Sequence, residues 1–188
     1  MGSILEPYAF EQKFAVFGFG GVPRFAGGLT VSHCFNLSGT PDPTVQGLAN
    51  MFGAYRKALS GTSLSGPTYF GPVLKVVLDY MKATSAMQMY HILLIITDGA
   101  IHDMPQTKDL IVECSTYPLS IIIVGVGNAD FSNMVELDGD DVVLRDSRGR
   151  PSSRDIVQFV VFNEFQKDIS ILAEEVLKEV PDQVVGYM

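Results

Sequence analysis

Apolar residues occur along this chain in two rhythms. Unbroken aliphatic runs, such as ILLII at 92–96 and IIIV at 121–124, alternate with stretches in which large apolar residues recur every three or four positions. The first rhythm predicts strands and the second helices, and their alternation predicts an α/β layered sheet rather than a sandwich or a bundle. Residues 14–19 (FAVFGF) and 30–37 (TVSHCFNL) read as two strands joined by a glycine-rich link. A link that short predicts an antiparallel pair, since a parallel return needs a longer crossover. After the breaker segment SGTPDP at 38–43, Leu48, Met51, Phe52, Tyr55 and Leu59 predict a helix over 45–59. Val73, Leu74, Val77, Leu78 and Met81 predict another over 71–82, with Pro72 suited to its first turn.

Three strongly apolar strands follow, at 90–97, 119–125 and 155–162. The first two lack alternation, as expected of parallel strands covered on both faces. Helices are predicted near 106–115 and 131–137, with a last one at 169–180. Residues 138–154, with Asp138, Asp140 and Asp141 followed by Arg145, Arg148, Arg150 and Arg154, read as a polar surface excursion. The expectation is one domain over 1–188, with Met1-Gly2-Ser3 set aside from the fold reading.

Composition narrows the function classes. Hydrophobic residues make up 47% of 188 positions, enough for a substantial core. A net charge of −8 excludes the basic footprint of a nucleic-acid surface and disfavours anionic lipid. Cys34 and Cys114 match no metal or redox spacing and read as buried thiols of a reducing, cytoplasmic protein. No stretch reaches the ~20 apolar residues of a membrane span, and the first ten residues lack the form of a signal peptide.

The candidate chemistry centres on HILLIITDGAIHD at 91–103, where an apolar strand runs into Asp98. In an open parallel sheet, ligands gather beyond the carboxyl ends of the strands. Asp98 therefore reads either as a turn residue capped by Gly99 or as a ligand. Thr68, in SGPTYFGP, stands just before a helix, where its hydroxyl can cap the backbone or ligate a hard cation. Other constellations fail on spacing. FGFGG and VGVGNAD carry Pro23 and Asp130 where a dinucleotide loop has its third glycine. GTSLSG is not a nucleophile elbow, and LDGDD is not an EF-hand loop, so the latter reads as a solvated acidic loop. His33 and His91 read as core or edge histidines, and Asp130 as a helix cap rather than part of a cation loop, because Met134 replaces the third ligand. No catalytic residue and no organic cofactor site is assigned. The alternative is a metal-assisted hydrolase using Asp98, His102 and Asp103.

LSGPTYFGPVL, YHILLIITDGAIHDMPQTKDLIVECS, YPLSIIIVGVGNADFSNMVELDGDDVVLR and RDIVQFVVF, in this order, resemble the C-terminal A domain of the copines, a von Willebrand factor A-type module. The resemblance implies a Rossmann-like, mostly parallel sheet with helices on both faces and an antiparallel edge strand. It further implies a non-enzymatic module that recruits protein partners in membrane trafficking and signalling, within a cytoplasmic protein that reaches membranes through two calcium-dependent, phospholipid-binding C2 domains. Those C2 domains do not occur in these 188 residues. The family's metal-ion-dependent adhesion site holds Mg²⁺, Mn²⁺ or Ca²⁺, and its pattern maps onto Thr68 and Asp98. Only three residues precede Ile4, where the family pattern has its first strand, a D-F-T-x-S-N loop and most of the first helix. The expectation is thus an N-terminally truncated domain with an incomplete cation site. A vacant central strand position would then invite a second chain, as a homo-oligomer.

Overall fold

The computed structural model describes residues 2–140, 142–165 and 168–188. The fold divides into two units, Met1–Val73 and Leu74–Met188. In the first, a short helix α1 (Gly2–Leu5) leads to β1 (Lys13–Ala15), β2 (Phe17–Gly18), β3 (Gly21–Pro23), β4 (Phe35–Asn36), β5 (Thr44–Gln46), α2 (Gly47–Ser60) and β6 (Thr62–Leu64). These strands form three antiparallel pairs, β1 with β5, β2 with β4 and β3 with β6.

The antiparallel relation of the first two predicted strands holds, but both are shorter than expected. FAVFGF breaks at Val16, whose N–H donates to Pro43 O while its carbonyl accepts from Leu37 N, so the chain changes partner there. Gly18 is required on packing grounds, because a Cβ there would lie 2.7 Å from the Phe35 ring. The predicted strand at 30–37 contracts to β4 and a single bridge from Ser32 to Gly21. Its interruption has a local cause: the Ser32 hydroxyl donates to Cys34 O and accepts from Cys34 N, a side-chain bond that competes with the ladder. In α2 the inward face is Leu48, Met51, Ala54 and Ala58, while Phe52, Tyr55 and Leu59 of the predicted stripe are exposed.

Helix α3 (Gly71–Ala83) carries the chain into the second unit and buries Leu74, Leu78 and Met81 at helical spacing. Then come β7 (His91–Thr97), α4 (Met104–Cys114), β8 (Leu119–Gly125), α5 (Ser132–Asp138), β9 (Val157–Val161), α6 (Ile169–Leu177) and α7 (Val180–Tyr187). The three strands form a parallel sheet in the order β7-β8-β9, with Ile95 opposite Ile123 and Ile123 opposite Phe159. Among the described residues this sheet has no antiparallel member, a departure from the expected edge strand. Every residue of β8 is buried, as its unalternating sequence predicts. β7 departs from that expectation, with Ile95 and Thr97 buried but Ile96 48% exposed.

The stretch expected to be a surface excursion is anchored at both ends. Leu144 and Asp146 are buried, and the Asp146 carboxylate accepts from the backbone N–H groups of Arg148 and Arg150 and from Arg150 Nε. Arg154 donates to Tyr117 O, Leu119 O and Gln183 O and lies 5.2 Å over the Tyr187 ring, tying the start of β8 to α7. Asp141 lies outside the described residues. The final helix, expected as one piece at 169–180, is two, because Pro181 sits in the first turn of α7. No helix among the described residues is long and apolar enough to cross a membrane. Both cysteines are free. Cys114 is buried, and burial pushes its thiol up to about 12, while half-buried Cys34 is pushed up to about 11 by the same cause.

Ile122 is 0% exposed at the centre of β8, so Ile122→Ala should destabilise the chain by about 2–5 kcal/mol in urea denaturation. Ile96→Ala, on the open flank of β7, should cost less than about 1 kcal/mol. A thiol reagent at pH 8 should modify Cys114 more slowly than Cys34, with both becoming fast only on unfolding.

Candidate metal centre

Asp98 is the first residue beyond β7. Thr97 turns inward and its carbonyl accepts from Val126 N at 2.8 Å, extending the sheet contact past the strand end, so the next side chain, Asp98, faces out and is exposed. The loop re-enters at Ile101, which is buried and whose carbonyl accepts from Asn133 Nδ2 at 3.2 Å. The chain bends at Asp98-Gly99, but Gly99 has no positive φ and a Cβ there would meet open space, so the bend does not require glycine. The carboxylate of Asp98 is thus presented by a fixed strand and a pinned loop, at the carboxyl end of a parallel sheet.

The hydrolase constellation is not assembled. Asp103 precedes α4, its carbonyl accepting from Thr107 N and its Oδ1 from the buried Thr107 hydroxyl at 3.2 Å, which gives it a helix-end role. His102 is exposed. Among the described residues, Asp98, His102 and Asp103 do not form a group with ligand atoms close enough for one ion. Asp130 accepts from Ser132 N at 2.9 Å one residue ahead of Phe131, which is the N-cap of α5, so it holds the turn into the helix rather than the cap position expected.

Thr68 belongs to the first unit, half-buried on the irregular segment before α3. Its neighbours are packed aromatics: Tyr69 meets His33 at 4.4 Å with the rings tilted by 43°, and buried Phe70 meets Phe19 edge-on at 5.7 Å. His33 Nδ1 is buried without a hydrogen-bond partner. His91 meets the Tyr80 ring at 5.6 Å, and burial lowers its pKa. Thr68 and Asp98 both offer oxygen, the donor chemistry of hard cations, one neutral and one anionic.

A second group was not legible in the sequence. Asp140, read as part of a solvated loop, stands with Asp155 and Glu179, and one carboxylate oxygen of each lies within 4.8 Å of the others. Asp138 is close by and accepts from Phe159 N at 2.7 Å on β9. Burial pushes Glu179 up to about 7, reinforced by the charges of Asp140 and Asp155. Asp138 is pushed up to about 7 mainly by burial, against the Phe159 hydrogen bond, and Asp155 is raised by burial as well. These side chains come from three distant stretches, so no local spacing announces them.

Comparison with known proteins places these features in a family. Protein BONZAI 1 of Arabidopsis thaliana is 43% identical over 192 residues, an overlap that takes in all of this chain and 33% of that protein. The chain thus spans about a third of the length of this curated relative. The family model described as Copine matches residues 1–188, from the glycine-rich first unit through the Asp98 loop to α7. With the match running the full length and the relative so similar throughout, the chain belongs to the copine family.

Proposed function

We propose that this chain acts as the protein-recruiting A-type module of a copine, binding partners rather than turning over a substrate. The observation that carries the reading is the exposed carboxylate of Asp98 at the carboxyl end of a parallel strand, in a chain matched throughout by the copine family. In this reading Asp98 holds a Mg²⁺, Mn²⁺ or Ca²⁺ ion, and the ion bridges to a carboxylate on the partner. A single carboxylate makes for weak intrinsic affinity, because hard cations draw their binding from several oxygens.

The same reading assigns membrane recruitment to the C2 domains of a full-length copine. A module of net charge −8 is repelled by the anionic cytoplasmic leaflet, so calcium-dependent attachment has to come from elsewhere, with the protein otherwise cytoplasmic. Homo-oligomerisation is the remaining part of the proposal. β7 closes the strand order on one side, and its outer backbone edge is where a strand of a second copy would add.

Mg²⁺ below its Kd should stabilise the chain by less than about 0.4 kcal/mol in thermal unfolding, and Asp98→Ala should abolish that increment. A large stabilisation that survives Asp98→Ala would refute the assignment of the ion to this residue. Partner recovery by affinity capture should fall with chelator and with Asp98→Ala alike. Equal recovery in all three conditions would count against an ion bridge. Size-exclusion chromatography with light scattering should show a dimer that shifts towards monomer on dilution, and a strictly monomeric chain would remove the oligomer from the proposal.

A further inference from the structure

Between α5 and β9 the chain turns back on itself, and its first leg alternates. Val143 is 56% exposed, Leu144 buried, Arg145 exposed and Asp146 buried. A period of two sends Val143 and Arg145 to the outer face and Leu144 and Asp146 to the inner one. The hairpin closes through an antiparallel bridge of Arg145 with Pro151, with Asp146 N donating to Arg150 O at 3.0 Å and Ser152 N to Leu144 O at 2.8 Å. Gly149 takes the positive φ of 77° that the tip requires. The buried Asp146 carboxylate accepts from Arg148 N, Arg150 N and Arg150 Nε. Ser147 is clamped to α4 by Asp109, whose two oxygens accept from its N–H at 2.6 Å and its hydroxyl at 2.9 Å. Hydrogen bonds to a carboxylate are the strong ones, so the tip is held in one shape.

That fixed shape presents cations. Arg145, Arg148 and Arg150 are all exposed. Arg150 pairs with Asp146, whereas among the described residues Arg145 and Arg148 form no ion pair, either within the hairpin or with the carboxylates of Asp140, Asp155 and Glu179. Arg145 Nη1 donates to Gly149 O at 3.0 Å, which orients its guanidinium along the tip. The three arginines outnumber the two carboxylates bound into the hairpin, Asp146 and Asp109, in a chain whose net charge is −8. A rigid basic tip on an acidic protein is a local pattern that steers and selects a partner of opposite charge.

We propose that the outer face of this hairpin, Arg145, Arg148 and Arg150 with Val143 beside them, is a docking surface for a short acidic segment of a partner protein. Charge complementarity sets the class of partner, because guanidinium forks match carboxylates through two parallel hydrogen bonds. An apolar side chain in the same segment covers Val143 and Val142, which is 75% exposed. A segment of a few residues meets the hairpin alone. An anionic bilayer or a nucleic acid is an extended surface and also meets the negative charge of the rest of the chain. The surface is separate from the Asp98 position, since carboxylates bind arginine here with no ion between them. It also joins the sheet at the other end, through Ser153 N to Ser115 Oγ and Arg154 Nη2 to Leu119 O at the start of β8. It rests on the recruiting reading above only in that both have the chain bind proteins.

The test is fluorescence anisotropy of a labelled glutamate-rich peptide carrying one leucine, titrated with the full chain in EDTA, so that no ion at Asp98 contributes. The expected result is saturable binding that weakens as NaCl rises from about 50 to about 300 mM. Affinity should fall about threefold in Arg148→Gln and about tenfold in the double variant Arg145→Gln/Arg148→Gln. It should not change in Lys75→Gln, which removes the same charge from α3. The Arg148 side chain makes no hydrogen bond or ion pair among the described residues, so circular dichroism and thermal unfolding should show an unchanged fold in Arg148→Gln. Equal binding by the unsubstituted chain and the double variant, or an equal loss in Lys75→Gln, overturns the proposal. So does binding to phosphatidylserine-containing vesicles that needs these arginines when the peptide does not bind, which reassigns the surface to lipid. A dimer that the double variant dissociates, again with no peptide binding, reassigns it to a second copy and overturns the proposal likewise. Each of these failures leaves the Asp98 reading standing, since that reading is tested by chelator-dependent capture.

Discussion

The second unit depends on sealing β8 away from water on both faces. With every residue from Leu119 to Gly125 buried, each backbone N–H and C=O of that strand needs a partner within the sheet. β7 supplies one edge over seven paired positions, and β9 supplies the other over five. Parallel pairing cannot be closed by a tight turn, so α4 and α5 become necessary as crossovers. It also brings the carboxyl ends of all three strands to the same end of the sheet. There the loops bind one another: Val126 N donates to Thr97 O, Asn133 Nδ2 to Ile101 O, and Asn163 Nδ2 to Gly127 O. The exposed position of Asp98 follows from that chain of constraints, one residue past the last inward-facing side chain of β7.

The elements that were legible in the sequence are those whose pattern reports burial directly. IIIV predicted a strand covered on both faces, and Leu74, Leu78 and Met81 predicted the inward face of α3, because both patterns depend on neighbours of any apolar kind. The elements that were not legible depend on a particular partner. Val16 splits a continuous apolar run because its N–H and C=O find different segments, Pro43 and Leu37. β3 and β6, at three residues each, carry too little sequence to show a period, and β3 ends in a proline. Ser32 stops a strand with its own hydroxyl, an outcome decided by one side-chain rotamer. In α2 the apolar stripe was read correctly as helical, but its interior face is set by small Ala54 and Ala58 rather than by Phe52 and Tyr55.

The candidate site divides along the same line. Asp98 could be picked out because a carboxylate at the end of an aliphatic run is conspicuous in one dimension. Asp140 could not, because its meaning lies in Asp155 and Glu179, which fold topology alone brings beside it. His102 and Asp103 are the converse case, adjacent to Asp98 in sequence yet committed otherwise, Asp103 to the Thr107 hydroxyl at the start of α4. Proximity along the chain overstated one constellation and concealed another.

The two acidic positions also differ in what a cation would gain there. At Asp98 the carboxylate is exposed and already solvated, so an ion has little to offer the fold, and on the proposed reading its hold comes from ligands supplied by another molecule. That is the physical sense in which a weak site suits docking: affinity that is low alone and high only with a partner's carboxylate makes the ion a reporter of contact. Beside β9 the carboxylates are partly desolvated and crowded, with Glu179 held up at about 7, so the fold itself bears a cost whenever all of them are ionised. On the proposed reading the outward carboxylate serves an encounter, whereas the crowding beside β9 bears on the stability of the unit itself.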